Sequence, residues 1–194
     1  FQTYLDLYRL GKVGKEGVAR AEEVMSYEVS TERNDYWWWA DGLYMVMPVM
    51  TKMYLYSGDE VYLEKLDQYL AYSDSIMYDS ESGLYYRDAK YVYPKHKSVN
   101  EKKDFWARGD GWVFAAYAKI LSDMPDDWKY RAKYEARYRD MAKAIKACQQ
   151  EEGHWTRSLL DAEHAPGYET SGTAFFTFGF YWGINNGYLT AEEY

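Results

Sequence analysis

The chemistry-bearing residues of this chain cluster around glycines that open apolar runs. The first such segment is Tyr36-Trp37-Trp38-Trp39-Ala40-Asp41-Gly42-Leu43-Tyr44-Met45, in which four aromatic residues lead to one carboxylate. Aromatic rings stack on the apolar faces of pyranose rings. A carboxyl group desolvated by indoles has its charged form disfavoured, so its pKa moves toward the range of a general acid. Asp41 is therefore the first candidate acid. A helix start at this point opposes that shift, because the helix dipole favours the anion. The plain alternative is an aromatic core segment in which Asp41 caps the helix, a role that does not exclude catalysis.

The second candidate segment is Phe105-Trp106-Ala107-Arg108-Gly109-Asp110-Gly111-Trp112. Arg108, set between Trp106 and Trp112, has the geometry to fork onto a carboxylate and to stack on a ring, and a uronic acid offers both partners. The competing reading packs Arg108 over core tryptophans and pairs it with Asp104 or Asp110. Asp110 also opens a rival mechanism, with Asp41 and Asp110 as the two carboxylates of an ordinary glycosidase. Arg87 and Asp88, after Tyr85-Tyr86, either border the same site or form a surface ion pair. Glu169-Thr170-Ser171-Gly172-Thr173 either supplies hydroxyls or caps a helix. His96, His154 and His164 show no ligand spacing, so neither a metal nor a cofactor is expected. There is no nucleophile elbow, Walker loop or dinucleotide fingerprint.

A weak internal repeat positions these residues. Trp39 to Tyr44, Arg108 to Val113 and Glu169 to Ala174 each combine a polar or aromatic entry, a glycine and an apolar run, which aligns Gly42, Gly111 and Gly172. Amphipathic helices are predicted over Val61 to Tyr78 and Tyr130 to Gln150, the latter with Tyr134, Tyr138, Met141, Ile145 and Cys148 on one face. Glycine turns and short extended pieces follow, at Gly83-Leu84-Tyr85-Tyr86 and Gly153-His154-Trp155. Gly17 to Glu28 reads as another amphipathic helix, Phe1 to Leu10 as the tail of an apolar one, and Thr190 to Glu193 as the start of a further helix. Tyr91 to Asp104, basic in its middle, reads as a surface loop.

Repeated two-helix units of this kind form a solenoid or an α/α toroid. Near-continuous apolarity in Leu43 to Met50 and Phe175 to Tyr181 favours burial on two sides, as in the inner ring of a toroid. If every inner helix starts at one mouth, the candidate residues converge there. The expected fold is an all-α, (α/α)6 six-hairpin barrel, of which residues 1-194 form a single partial domain covering about half.

The totals agree with a sugar-binding protein. With 194 residues the chain can bury a real core. Its 23 Tyr and 8 Trp exceed what a core needs and bring polar handles suited to wet binding surfaces. A net charge of −8 argues against nucleic acid as partner. One cysteine excludes an internal disulfide. No apolar run is long enough to span a membrane. No signal peptide is visible, and the pattern begins and ends inside a larger one, which predicts a piece of a longer enzyme. Compartment and oligomeric state are not written in the sequence.

Taken in order, Trp39-Ala40-Asp41-Gly42-Leu43-Tyr44-Met45 with Pro48, Gly83-Leu84-Tyr85-Tyr86, Phe105-Trp106-Ala107-Arg108 with Gly111-Trp112, and Glu169-Thr170-Ser171-Gly172 resemble glycoside hydrolase family 105, the unsaturated rhamnogalacturonyl hydrolases, related to the unsaturated glucuronyl hydrolases of family 88. The resemblance implies removal of a 4,5-unsaturated uronic acid from the non-reducing end of a lyase-generated pectic or related polyuronide oligosaccharide. It implies vinyl-ether hydration, with Asp41 as general acid/base and Trp39, Arg108 and Trp112 against the substrate. Trp106 and Arg87 join that list as substrate-binding candidates, Arg87 standing where some relatives carry a histidine. A second family aspartate lies in a part that this chain lacks. Outside the family, the open alternatives are another α/α-barrel hydrolase or lyase using Asp41 and Asp110, or a non-catalytic carbohydrate-binding array.

Overall fold

The computed structural model describes residues 1–194. Seven helices account for most of it: α1 (Gln2–Arg9), α2 (Ala19–Ser30), α3 (Ala40–Ser57), α4 (Val61–Met77), α5 (Ala107–Asp123), α6 (Arg131–Ala147) and α7 (Thr170–Asn185). Two two-residue strands, β1 (Tyr78–Asp79) and β2 (Leu84–Tyr85), form a small antiparallel hairpin after α4. No helix is long and apolar enough to cross a membrane.

The odd-numbered helices pack side by side in the order α1, α3, α5, α7, while α4 covers α3 and α6 covers α5. This is the double layer of an α/α barrel, open at α1 and α7. The two layers differ chemically. Helix α5 is buried on nearly every side, from Ala107 through Leu121. Helix α6 buries one stripe, Tyr134, Tyr138, Met141, Ala142 and Ile145, as its periodicity predicts. The outer helices α4 and α6 are joined by charge, through Lys133–Asp67 and Arg137–Asp74, and Lys129 just before α6 pairs with Glu64 of α4.

Helix α3 contains Pro48, which has no N–H to give to the Tyr44 carbonyl four residues back. Gln2 of α1 supplies the missing donor, its Nε2 standing 2.8 Å from Tyr44 O. The helix ends at Gly58, whose φ of +74° suits the left-handed cap and whose N–H returns to Tyr54 O at 2.7 Å.

Three local expectations change. Phe1 to Leu10 is not an apolar helix, since α1 buries Leu5 alone. Thr190 to Glu193 forms a turn. The 91–104 connection is more than a surface loop, because Ser98 and Asp104 in it are buried.

Candidate active site

The inner helices start alike. Trp39, Trp106 and Glu169 are the N-cap residues of α3, α5 and α7, and each lays its side chain against the glycine three positions on. A Cβ on Gly42 would stand 3.2 Å from Cε2 of Trp39, and one on Gly109 would stand 3.0 Å from Cε3 of Trp106. At α7 the Glu169 carboxylate accepts the Gly172 N–H, which settles that segment as a cap. The repeat therefore aligns Gly42, Gly109 and Gly172, and the sequence alignment through Gly111 is out by two residues.

In this register Asp41, Arg108 and Ser171 share the second helical position of three adjacent helices. The first turns touch: a Cβ on Gly109 would lie 3.6 Å from Ala40 Cβ, and one on Gly172 would lie 3.0 Å from Ala107 Cβ. Asp41 and Arg108 each sit one residue from the first of these contacts. Helix starts are fixed from behind by backbone bonds: Ala40 N–H donates to Arg87 O and Ala107 N–H to Arg157 O, both at 2.9 Å. Trp39 also bridges to Asp88, and Trp106 to Ser158.

Asp41 is half-buried and does not cap α3; that position belongs to Trp39, which corrects the capping alternative. Just before Asp41 in the chain, the Trp38 ring stands 4.6 Å from that of Trp39 between centroids, and the Trp39 ring lies against Gly42. Arg108 is exposed, with its guanidinium carbon 4.4 Å from the centre of the Trp106 ring. It has no carboxylate partner, because Asp104 pairs with Arg157 and Asp110 is enclosed. Stacking of this kind contributes about 0.5–1 kcal/mol at an exposed site and leaves the guanidinium edge free. Trp112 packs between Tyr44 and Phe175, at centroid distances of 4.6 and 4.3 Å, and its indole N–H has no acceptor.

Asp110 is 0% exposed. One of its oxygens accepts the Tyr85 N–H at 2.8 Å, the other has no partner, and burial pushes the carboxyl well above its usual range. It ties α5 to β2 through that bond, and its full burial speaks against its serving with Asp41 as the carboxylate pair of an ordinary glycosidase. Cys148, buried behind it, has its thiol pushed up to about 12 by burial and is no nucleophile. Arg87 does reach the mouth through its carbonyl, but its side chain is spent on Asp88, 2.7 Å away. That pair is no surface pair, since Asp88 is buried.

Two histidines converge in spite of their spacing. His96, Asp104 and His164 offer ligand atoms within 4.8 Å of one another. They do not suit a metal. Val99 N–H donates to His164 Nδ1 at 3.3 Å, which puts the ring proton on Nε2, the atom that faces Asp104. A histidine that ligates through Nε2 instead donates from Nδ1. Arg157 Nη1 also holds both oxygens of Asp104, at 2.5 and 2.6 Å. Sequence reasoning missed this cluster, since its members are scattered from position 96 to 164.

A hollow of about 390 Å³ lined by Trp155, Phe180, Tyr181, Ile184 and Tyr194 runs along α7 and includes none of the candidate residues.

The model of Glycosyl Hydrolase Family 88 matches residues 1–194. Over 162 residues the chain is 38% identical to an unsaturated 3S-rhamnoglycuronyl hydrolase of Formosa agariphila, covering 81% of this chain and 43% of that protein. It is 67% identical to a solved structure described as a polysaccharide lyase, with a TM-score of 0.97 over 100% of this chain and 54% of that one. A family 88 glycosyl hydrolase from Bacteroides vulgatus is 63% identical, with a TM-score of 0.96 over 98% of this chain and 55% of that one. A family 105 glycoside hydrolase of C. acetobutylicum, 22% identical, shares the fold with a TM-score of 0.79 over 98% of this chain and 57% of that one. The chain thus spans about half the length of the relatives it matches.

Proposed function

The chain belongs to glycosyl hydrolase family 88, and from that premise we propose that the protein removes a 4,5-unsaturated uronic acid from the non-reducing end of an oligosaccharide, with Asp41 as general acid/base. The observation that carries this reading is the placement of Asp41 and Arg108 at one helical position on touching helices, with Arg108 stacked on Trp106 and free of any carboxylate.

In this mechanism the uronate carboxylate takes the fork of Arg108, and the sugar ring lies among Trp39, Trp106 and Trp112. Asp41 gives its proton to C4 of the C4=C5 double bond. Water adds at C5, and the Asp41 carboxylate takes the proton that the water sheds. Protons balance over the cycle. The hemiketal left at C5 opens to a ketone and leaves the former ring oxygen as a hydroxyl on C1; that C1 hemiacetal then collapses to an aldehyde, and the neighbouring sugar departs as its alcohol with the hydroxyl proton. The name of the Formosa relative supports a rhamnose as that neighbouring sugar. In the full-length protein the absorbance of the C4=C5 bond should fall on turnover.

A second reading has one observation in its favour, the 67% identical structure described as a polysaccharide lyase. A lyase forms the double bond instead of consuming it, so the absorbance of a saturated uronide would rise. The two readings are separated by the sign of one signal.

A further inference from the structure

Helix α5 has an inner neighbour on each side, α3 and α7. Two loops reach its N-terminus, and one buried carboxylate fastens them together. Asp104, 3% exposed, receives Arg157 Nη1 on both oxygens. His96 Nε2 lies 2.8 Å from Oδ2 of the same group, and His164 Nε2 lies 3.6 Å away. Burial pushes the Asp104 carboxyl up; hydrogen bonds from Arg157 and His96, with the guanidinium charge, more than reverse this and hold it below the usual carboxylate range.

The location gives the cluster its meaning. Asp104 precedes the cap residue Trp106 by two positions and Arg108 by four. Arg157 is held at two points, its side chain on Asp104 and its carbonyl on the first N–H of α5, that of Ala107. Phe105 O accepts the Leu159 N–H at 2.9 Å, which closes the connection on the other side. The loop carrying His164 is tied back to Asn100, whose Nδ2 donates to Asp161 at 2.9 Å. The segment that leads into Trp106 and Arg108 is thus tied on both sides through this knot.

We propose that Asp104 is a positioning residue for anion recognition: by gathering Arg157, His96 and His164 it locks the start of α5, and so holds Arg108 stacked on Trp106 with its fork turned to the substrate carboxylate. The proposal rests on the proposed function only in assigning that carboxylate to Arg108. It also explains a division among the arginines at the mouth. Arg87 and Arg157 are neutralised by buried aspartates, Asp88 and Asp104, and Arg108 alone keeps its charge unspent.

The test is a double-mutant cycle in the full-length protein, read as Kd for a saturated glucuronate oligosaccharide by calorimetry and as KM for the unsaturated one. Asp104→Asn should weaken both about tenfold, a loss of one positioned charge-assisted contact, with kcat within about twofold. Arg108→Met should weaken binding further, and adding Asp104→Asn to it should change nothing more. His96→Gln with His164→Gln, which keeps a donor facing Asp104, should stay near wild type, and His96→Ala with His164→Ala should move toward Asp104→Asn. Independent, multiplying effects of Asp104→Asn and Arg108→Met overturn the proposal. So does an unchanged Kd in Asp104→Asn, or a fall in kcat alone. Absence of wild-type turnover would remove the hydrolase reading while the Kd cycle still decides the role of Asp104.

Discussion

Asp41 and Arg108 stand at the same helical position on neighbouring inner helices, 67 residues apart in the chain, and the first turns of those helices touch where Gly109 meets Ala40. An acid and an unpaired guanidinium are thereby presented at one mouth. Neither residue needs the other for its own place, since each is fixed by its own helix start. Arg108→Met should raise KM for an unsaturated uronide by about thirtyfold or more, because truncating one side of a charge pair costs about 2–5 kcal/mol. Arg108→Lys should recover only part, because an ammonium lacks the planar fork. Steady-state kinetics on the two variants checks this, with a larger effect on KM than on kcat.

Gly109 should be more important to binding than to folding. A Cβ there meets the Trp106 ring at 3.0 Å, and overpacking typically costs about 1–3 kcal/mol. Alanine returns about 1 kcal/mol of helix propensity. Gly109→Ala should therefore shift the thermal midpoint by a few degrees at most while displacing Trp106 and with it Arg108. A rise in KM larger than the stability change accounts for is the expected result from kinetics and melting on the same preparation.

Much of this was legible in the sequence, and the reasons differ by residue. The inner and outer character of the helices came from apolar periodicity, which depends only on each helix's own surface. Asp41 and Arg108 stood out because aromatic neighbours beside a charged residue are visible locally. The repeat register was not legible: Gly42 and Gly111 look alike as Asp-Gly steps, but the ring that needs the space at α5 is that of Trp106, three residues before Gly109. Asp110 misled for the same reason, since two positions along α5, roughly half a helical turn, separate Arg108 from the residue that receives the Tyr85 N–H. The knot on Asp104 joins residues 96, 104, 157 and 164, and no local pattern announces it.

Asp110 and Asp104 should respond to pH with opposite signs. The Asp110 carboxyl is raised in the folded state, so its contribution to stability is present below its unfolded value of about 3.9 and is lost as pH rises toward its folded value. Asp110→Asn keeps the acceptor for Tyr85 N–H and removes that loss, so its stability relative to wild type should improve as pH rises above about 4. Asp104 is lowered, so its contribution is present above about 3.9 and is lost as pH falls through its folded value. Asp104→Asn should therefore lose more relative to wild type at neutral than at acid pH. Melting curves from acid to neutral pH test both. Asp110→Asn should also retain turnover, and its loss would revive the two-carboxylate mechanism.

The central claim is that Asp41 gives a proton to C4 of a double bond and recovers one from the water that adds at C5. The direct measurement is the absorbance of the C4=C5 bond of an unsaturated uronyl oligosaccharide, followed with full-length wild type and with Asp41→Asn at equal folded concentration. The absorbance should fall with wild type, and the Asp41→Asn rate should drop by about a thousandfold or more, on the scale of a lost acid/base group. Turnover by Asp41→Asn at a rate near wild type, or a rise in absorbance from a saturated uronide with wild type, would contradict it.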